Sequence, residues 1–291
     1  MPKETVGYRE ATAPDQEDSR FATVENSPIR EVDPVECGYE LDGEIAVVTL
    51  RRPSRYNAVT LSMARELTEA IRRAGVEARA AVITGEGRAF CAGADLIELT
   101  SQVGEAGDLQ AILHSHFHPL IEALWESEVP TLAAINGPTA GAGMGIALCC
   151  DLRVMDPGSY FMSAFIHLGL TPDSGAAWML GRMVGLGRAM EIVMSGRKVP
   201  AGEALEIGLA GKVSASGQAL SEAMAWANQL CDGPTSAYAA GRRLLYETTA
   251  LGFAEGLAAE AVSQGRLGES ALFGEGVAAF KEKRKPDFRS L

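Results

Sequence analysis

The sequence lacks the paired cysteines on which a disulfide framework or a zinc finger depends. Its cysteines are odd in number, and none stands at C-x-x-C spacing from another. This pattern argues against both kinds of site and indicates a reducing compartment. The five are Cys37, Cys91, Cys149, Cys150 and Cys231.

Long apolar runs and basic residues are also scarce. No apolar stretch reaches the roughly 18 residues of a membrane span without a charge or a glycine cluster. No basic start precedes an apolar stretch near the first residue, so we expect no signal peptide and a cytoplasmic protein. Lys and Arg number 26 against 38 Asp and Glu, a formal net charge of −12. Because a duplex-binding protein needs a basic surface to displace counterions from phosphate, we expect no nucleic-acid partner. The lack of a long apolar run likewise predicts no membrane partner.

The chain does contain enough apolar material for a large core. Of its 291 residues 47% are hydrophobic, which excludes disorder over most of the length and predicts one large domain, with or without an appendage. Residues 1–36 differ, because they hold four basic and nine acidic side chains and show no apolar periodicity. We therefore expect a disordered acidic leader there.

Short apolar segments alternate with amphipathic ones through the middle of the chain. Strands are predicted at 43–50, 80–84, 131–136 and 152–155. Thr60 or Ser62 could cap a helix after the first strand, whose inward face would be Ala64, Leu67, Ile71 and Ala74. This alternation predicts an α/β domain with parallel strand pairing. After about residue 187 the pattern becomes almost wholly helical, through 201–207, 219–230 and 236–249.

Two segments rich in small residues follow predicted strands. In residues 90–96, the small side chains around Gly93 let a ligand approach backbone N–H donors, although a tight turn with Asp95 as a helix cap explains them equally well. Residues 136–145 predict a loop that opens a buried helix, whose first N–H groups attract negative charge. That loop is neither a G-x-x-x-x-G-K-[ST] phosphate loop nor a G-x-G-x-x-G turn, which argues against nucleotide hydrolysis.

Seven segments, these two among them, resemble the crotonase (enoyl-CoA hydratase/isomerase) superfamily in order and spacing over about residues 38–288. They are RPSRYNA (52–58), FCAGADL (90–96), NG with the GAG loop and Asp151 (136–151), LGLTPDSG (168–175), RMVG (182–185), A-x-E-A-x-x-x-G-L (201–209) and FKEKRKP (280–286).

The resemblance implies a crotonase-like α/β fold, a spiral of ββα units over residues 37–230. Residues 231–291 would form a C-terminal helical region through which chains assemble as homotrimers or dimers of trimers. It implies an acyl-CoA substrate, with no cofactor beyond that coenzyme A and no metal. The N–H groups of Ala94 and Ala142 would form an oxyanion hole for the thioester oxygen of an enolate. Coenzyme A contacts are implied for Arg55, Ala92, Ala94, Asp95, Leu96, Ile97, Phe280 and Lys283.

One departure from the family pattern bears on the reaction. Hydratases of the superfamily carry two glutamates, and the corresponding positions hold Gly145 and Phe165. Asp173 remains, at a place that resembles the single acidic residue of Δ3,Δ2-enoyl-CoA isomerases and ring-epoxide acyl-CoA isomerases. One carboxylate can take a proton from C2 and return it to C4, so we expect double-bond isomerisation. Hydration by Asp173 alone, a non-catalytic acyl-CoA-binding protein, and a helix-capping Asp173 stay open as alternatives.

Phe165, Trp178, Met144 and Leu170 are expected to surround Asp173 and to raise its pKa. His114 and His118 would share a helix face while His116 points elsewhere, and with no carboxylate at ligand spacing we expect no metal site. His167 is expected to pack, and Cys91 to be a small buried thiol. The methionines at 162, 179, 183, 190 and 194 are interpreted as core or as the lining of an acyl tunnel.

An acidic protein needs local basic groups to hold the phosphates of coenzyme A. One candidate group is Arg51, Arg52 and Arg55, and the other is the tail from Lys281 to Arg289, which carries five basic and two acidic residues. In the family, residues at the places of Phe280 and Lys283 reach the ligand of a neighbouring subunit. The alternative is that the tail is a solvated helix end.

Overall fold

Nine strands form two sheets in the computed structural model, which describes residues 35–103 and 108–291. The strands are β1 (Cys37–Asp42), β2 (Ile45–Leu50), β3 (Ala80–Gly85), β4 (Thr131–Ile135), β5 (Thr139–Ala140), β6 (Leu152–Met155), β7 (Tyr160–Met162), β8 (Lys198–Pro200) and β9 (Lys212–Val213). The larger sheet has the order β1-β2-β3-β4-β6-β9, and the smaller has the order β5-β7-β8.

The parallel pairing predicted from the alternation is confirmed from β2 through β3, β4 and β6 to β9. Strands β3 and β4 are buried along their whole length, as expected of parallel strands covered on both faces. Two pairs depart from the prediction, since β1 runs antiparallel to β2 and β7 antiparallel to β8. The first pair is a hairpin closed by Gly43, whose φ of 60° belongs to the left-handed region that glycine tolerates.

The described ranges contain twelve helices. They are α1 (Leu61–Glu77), α2 (Leu96–Val103), α3 (Leu109–Ile112), α4 (His118–Trp125), α5 (Ala142–Cys149), α6 (Ala176–Val184), α7 (Leu186–Ser195), α8 (Ala201–Glu206), α9 (Ala219–Cys231), α10 (Thr235–Thr248), α11 (Phe253–Gly268) and α12 (Ala271–Glu282). A π-helical turn, Leu113–Phe117, joins α3 to α4. None of the described helices is both long and apolar enough to cross a bilayer.

Helix α1 forms as its sequence predicts. The hydroxyl of Thr60 accepts a hydrogen bond from the N–H of Met63, so Thr60 and not Ser62 is the cap. The predicted inward face is confirmed, because its four residues are buried against the sheet; they are Ala64, Leu67, Ile71 and Ala74. Helix α1 packs on α4, which brings α4 next to the centre of the molecule.

Two predicted boundaries need correction. The leader predicted over 1–36 lies outside the described residues except for Val35 and Glu36, and Glu36 is buried, with its carboxylate bonded to Thr60 and Arg52. The folded part therefore includes Glu36. The chain after residue 187 is not wholly helical, because β8 and β9 lie there and β9 is the edge strand of the larger sheet. Strands of three and two residues carry too little periodicity to be recognised in a sequence.

Candidate active site

The two small-residue loops meet in the structure. Cys91 and Thr139 form an isolated parallel bridge, in which Cys91 donates to the carbonyl of Pro138 at 3.2 Å and Ala140 donates to Cys91 at 2.9 Å. Gly93 has a φ of 107°, and a Cβ at this position would lie 3.5 Å from the amide nitrogen of Ala142. A glycine is needed here because the backbone is in the left-handed region and the second loop is close.

The N–H of Ala94 points away from the neighbouring backbone. Val59 donates to the carbonyl of Gly93 at 2.7 Å, and Asp95 donates to the carbonyl of Val59 at 2.8 Å. In such a parallel bridge the residues on either side of Ala94 make the bonds, so its own N–H and C=O face the opposite side. Among the hydrogen bonds of the described residues, this N–H has no acceptor.

The N–H of Ala142 is the first of helix α5. Gly141, with φ 53° and ψ −129°, precedes it as the N-cap and donates to the carbonyl of Met162 at 3.1 Å. The first N–H groups of a helix have no intrahelical partner, and the structure gives this one no acceptor within the described ranges. Ala94 and Ala142 thus present two neighbouring donors that can bind one negatively charged oxygen.

Helix α5 also lies against the segment that carries Asp173. Gly145 lies one helical turn after Ala142 on the same side of α5, and a Cβ there would overlap the carbonyl oxygen and Cβ of Ser174. The segment that carries Asp173 and Ser174 therefore lies directly against α5. Ser174 has a φ of 49°, which indicates a tight turn into α6.

Gly145 explains why no glutamate stands at this position. Any side chain would occupy the space already filled by Ser174, so the segment would have to move. Phe165, at the second of the two positions, is buried in a 3₁₀ turn, Ala164–Leu168. Of the three positions considered for a catalytic carboxylate, 145, 165 and 173, only position 173 carries one.

Asp173 is not a helix cap, so that alternative is wrong. Helix α6 begins at Ala176 with Gly175 as its N-cap and no side-chain cap. The carboxylate of Asp173 instead accepts a hydrogen bond of 2.8 Å from the hydroxyl of Ser174. Burial raises the pKa of Asp173 above its ordinary value, while the Ser174 hydroxyl and the charge of His118 act in the opposite direction.

His118 is the residue near the candidate acid/base that the sequence did not identify. It is the first residue of α4. One turn later on this helix, the Cγ2 atom of Ile121 lies 3.3 Å from the place that a Cβ on Gly175 would occupy. The rings of His114 and His118 lie edge to face with centroids 4.8 Å apart, which confirms that they share a face. The spacing of the histidines predicts that face, but only the packing of α4 shows that it turns towards Asp173.

The four apolar residues expected around Asp173 differ in their exposure and contacts. Phe165 and Met144 are buried, whereas Leu170 is 39% exposed. Trp178 belongs to an aromatic cluster with Trp125 and Tyr246, at centroid distances of 4.9 and 5.4 Å, and the guanidinium of Arg182 lies over its ring.

Asp95 caps helix α2, as the tight-turn interpretation of residues 90–96 predicted. One carboxylate oxygen accepts from the N–H groups of Ile97 and Glu98, and the other pairs with Arg52 at 2.9 Å. Burial acts to raise the pKa of Asp95, but the bonds from Arg52 and from the two amides hold it below its usual value. The carboxylate is fully engaged, and so is the backbone, because the N–H of Asp95 donates to Val59 and its carbonyl accepts from Leu99.

The proposed arginine cluster reduces to one available side chain. Arg52 is held between Glu36 and Asp95, and Arg51 pairs with Glu40 at 2.8 Å. Arg55 is exposed and forms no ion pair with any described residue. Arg51 and Arg52 are therefore paired within the chain, and the expectation of a three-arginine phosphate site stays a prediction.

The basic tail is largely neutralised by acidic residues of its own chain. Arg284 pairs with Glu275, while Lys285 and Arg289 both pair with Asp232. In the described part of the chain, Lys281 and Lys283 form no ion pair. Lys283 ends helix α12 with a φ of 56°, and the nearby Phe280 is 85% exposed.

The remaining polar candidates are engaged in packing or local bonds. Burial raises the pKa of the Cys91 thiol to about 12, as expected of an unreactive side chain. The ring nitrogen Nε2 of His167 lies 3.2 Å from the carbonyl oxygen of Gly196, and His116 bonds to Ser115. Residues 35–103 and 108–291 contain no group of three or more potential metal ligands.

The methionine interpretation is corrected for two members of the series. Met190 is 52% exposed and Met194 is 72% exposed, so neither belongs to a core. Both lie on one side of α7, and side chains on an outer helix face line no tunnel within the chain. Met179, in contrast, is buried as predicted.

Comparisons with known proteins show the family of the chain. The family model described as enoyl-CoA hydratase/isomerase matches residues 40–290. A Rhodobacter capsulatus protein named "Probable enoyl-CoA hydratase" is 41% identical over 250 residues, which are 86% of this chain and 96% of that protein. The 1,2-epoxyphenylacetyl-CoA isomerase of Escherichia coli is 32% identical over 84% of this chain and 94% of its own length. The crystal structure of an enoyl-CoA hydratase from Polaromonas sp. JS666 superposes with a TM-score of 0.81 at 34% identity, covering 86% of this chain and 98% of that one. The chain belongs to the enoyl-CoA hydratase/isomerase family.

Proposed function

We propose that this enzyme moves a double bond, or opens a ring epoxide, in an acyl-CoA thioester, with Asp173 as its one acid/base. The observation that carries the proposal is the contact between Gly145 and Ser174, which puts the Asp173 segment beside α5 and leaves no room for a glutamate at position 145. The similarity to a 1,2-epoxyphenylacetyl-CoA isomerase supports the same reaction class.

Each residue has a defined role in the proposed isomerisation. The ionised carboxylate of Asp173 takes a proton from C2, and the electron pair moves onto the thioester oxygen. The N–H groups of Ala94 and Ala142 donate to that oxygen and stabilise the dienolate, each contributing on the order of 3 kcal/mol. Asp173 then returns the proton to C4, so no electron or group is transferred and no cofactor beyond the substrate's coenzyme A is needed.

A panel of acyl-CoA thioesters tests the reaction class. With 3-enoyl-CoA substrates we expect a product of unchanged mass that absorbs as a conjugated 2-enoyl thioester, and the panel includes an aryl-epoxide acyl-CoA. A product heavier by one water would favour hydration, which the hydratase names of several relatives also support. Tight binding of every thioester without turnover would instead indicate a non-catalytic acyl-CoA-binding protein.

Replacing His118 by glutamine should move the acid limb of the pH–rate profile to higher pH. Asp173 acts as the ionised base, so kcat/KM rises with pH through its pKa. The charge of His118 lowers that pKa, and removing the charge raises it. His116→Gln is the matched control, because His116 bonds to the preceding residue, Ser115, in the same turn. An acid limb that stays in place in His118→Gln would show that the two groups do not interact.

Loss of Arg55 or Lys283 should weaken binding of coenzyme A by about twofold to fivefold at low salt, with little change in kcat. Both side chains are exposed, so the effect should shrink as salt rises. Arg51→Ala is the control for Arg55→Ala, because Arg51 is already paired with Glu40. Titration calorimetry at two salt concentrations measures the change. Equal affinities for Lys283→Glu and the unmodified protein at low salt would remove Lys283 from the site.

We further propose that the chain assembles as a trimer or a dimer of trimers. Large apolar side chains are exposed on the C-terminal helices, namely Leu245, Phe253, Leu257, Val262, Phe273 and Phe280. A second row lies on α7, formed by Leu186, Met190 and Met194. Contiguous exposed apolar surface is typical of protein interfaces. Light scattering after size exclusion should give three or six chains per particle, and a monomer at micromolar concentration would contradict the proposal.

A further inference from the structure

The helix that presents Ala142 ends on a buried arginine. Arg153 lies on β6 with its side chain only 8% exposed. Its guanidinium donates to the carbonyl oxygens of Cys150 at 2.6 Å and Leu148 at 3.4 Å, both at the C-terminal end of α5. A third bond of 2.6 Å runs to the carbonyl of Leu209. These acceptors include carbonyls that the end of a helix leaves without an intrahelical partner.

The charge of Arg153 is not balanced by a carboxylate. Among the described residues no acidic side chain forms an ion pair with it. The nearest acid in sequence, Asp151, is engaged by Arg242 at 2.7 Å and by the backbone and hydroxyl of Thr131. Burying an unpaired cation is unfavourable unless other groups compensate, and here the compensating groups are backbone carbonyls at a helix C-terminus.

The position of this charge relative to Ala142 gives it a consequence for catalysis. Helix α5 has eight residues, all buried, and spans about 12 Å. Its C-terminal end carries a partial negative charge, which weakens the positive field at its N-terminus. A cation at the C-terminal end cancels that negative charge. The positive field at the N-terminal end is then undiminished, and it stabilises an anion bound to the N–H of Ala142 more strongly.

We infer that Arg153 is a positioning residue for the enolate, acting through α5 by the charge that its bonds to the carbonyls of Leu148 and Cys150 hold at the end of that helix. The inference rests on the proposed function, since it requires that an enolate oxygen binds at Ala142. A unit charge about 12 Å away, in an interior with an effective dielectric constant near 20, changes an ionisation equilibrium by about tenfold. Arg153 therefore contributes to the stability of the enolate without touching the substrate.

The test measures the ionisation of a bound thioester, not turnover. Acetoacetyl-CoA has an acidic C2–H, and the ultraviolet absorbance of its enolate reports how much is ionised when it is bound. We expect Arg153→Gln and Arg153→Met to raise the pH of half-ionisation by about one relative to the unmodified enzyme, a tenfold loss of enolate. Arg153→Lys, which keeps the charge, should restore most of it. Binding of saturated butyryl-CoA, which forms no enolate at these pH values, should be unchanged.

Arg79 provides a matched control. Its guanidinium also donates to three backbone carbonyls, those of Cys231, Gly233 and Phe288, at 3.0 to 3.1 Å, and none of them belongs to α5. Arg79→Gln should therefore leave the half-ionisation pH unchanged. Measurements are made at saturating thioester, which stabilises the folded form of each variant, and two neutral substitutions of different shape guard against the misfolding of one.

The outcomes separate the two proposals. If the unmodified enzyme does not stabilise bound enolate, the proposed function fails at the donors themselves. If it does, and Arg153→Gln or Arg153→Met ionises the ligand equally well, the role of Arg153 is overturned. A folded Arg153→Lys that loses as much enolate as Arg153→Gln would also overturn it, because a structural bond and not the charge would then be responsible.

Discussion

Asp173→Asn is expected to lower turnover of an acyl-CoA substrate by about 10²–10⁴-fold while the thioester still binds. Asparagine has nearly the same shape and can still accept the hydrogen bond from Ser174. It cannot take a proton from C2 and give it back at C4. Because neither Gly145 nor Phe165 can take over this step, little activity should remain.

The control for this prediction is Glu122→Gln. Glu122 is an exposed carboxylate on α4, one turn after His118, so its loss removes one negative charge from the same helix without removing the proposed proton carrier. Steady-state kinetics and the dissociation constant of a saturated acyl-CoA are measured for both variants. Asp173→Asn that turns over like the unmodified enzyme would exclude Asp173 as the acid/base.

The prediction of the core succeeded where periodicity was long and burial was complete. Strands β3 and β4 are mostly apolar and buried along their whole length, and α1 has an unbroken inward face with a hydroxyl cap, so both kinds of element were clear in the sequence. The antiparallel β1 was missed because only its first two residues are buried. A strand with a mostly exposed outer half gives no clear alternation.

At the candidate site, backbone features were easier to predict than charge pairing. The two loops that carry Ala94 and Ala142 were recognisable because close backbone approach restricts both to small residues. The partners of the charged side chains were not, since Arg52 reaches both Glu36 and Asp95 across large sequence separations. The acidic partners of the basic tail were missed for the same reason, because Asp232 lies more than fifty residues before Lys285.

The second large effect is expected at Ala142. Replacing it by proline removes the N–H that would donate to the enolate oxygen and should lower turnover by about 10²–10³-fold. The fold should tolerate the change, since Ala142 is the first residue of α5, where proline lacks no intrahelical bond and has the required φ.

The residue before a proline must avoid the helical region, and Gly141 does so. Its φ of 53° and ψ of −129° are the mirror image of extended backbone, in which the clash with the proline ring is absent.

Ala142→Gly, which keeps the N–H, is the control and should retain most of the turnover. Circular dichroism establishes that both variants fold, and kinetics with the same thioester measures the loss. If a folded Ala142→Pro matched Ala142→Gly in rate, the oxyanion would have to be bound by donors other than this N–H. Ala94, on the opposite loop, would then be the remaining member of the proposed pair, and a single donor could not account for the expected stabilisation.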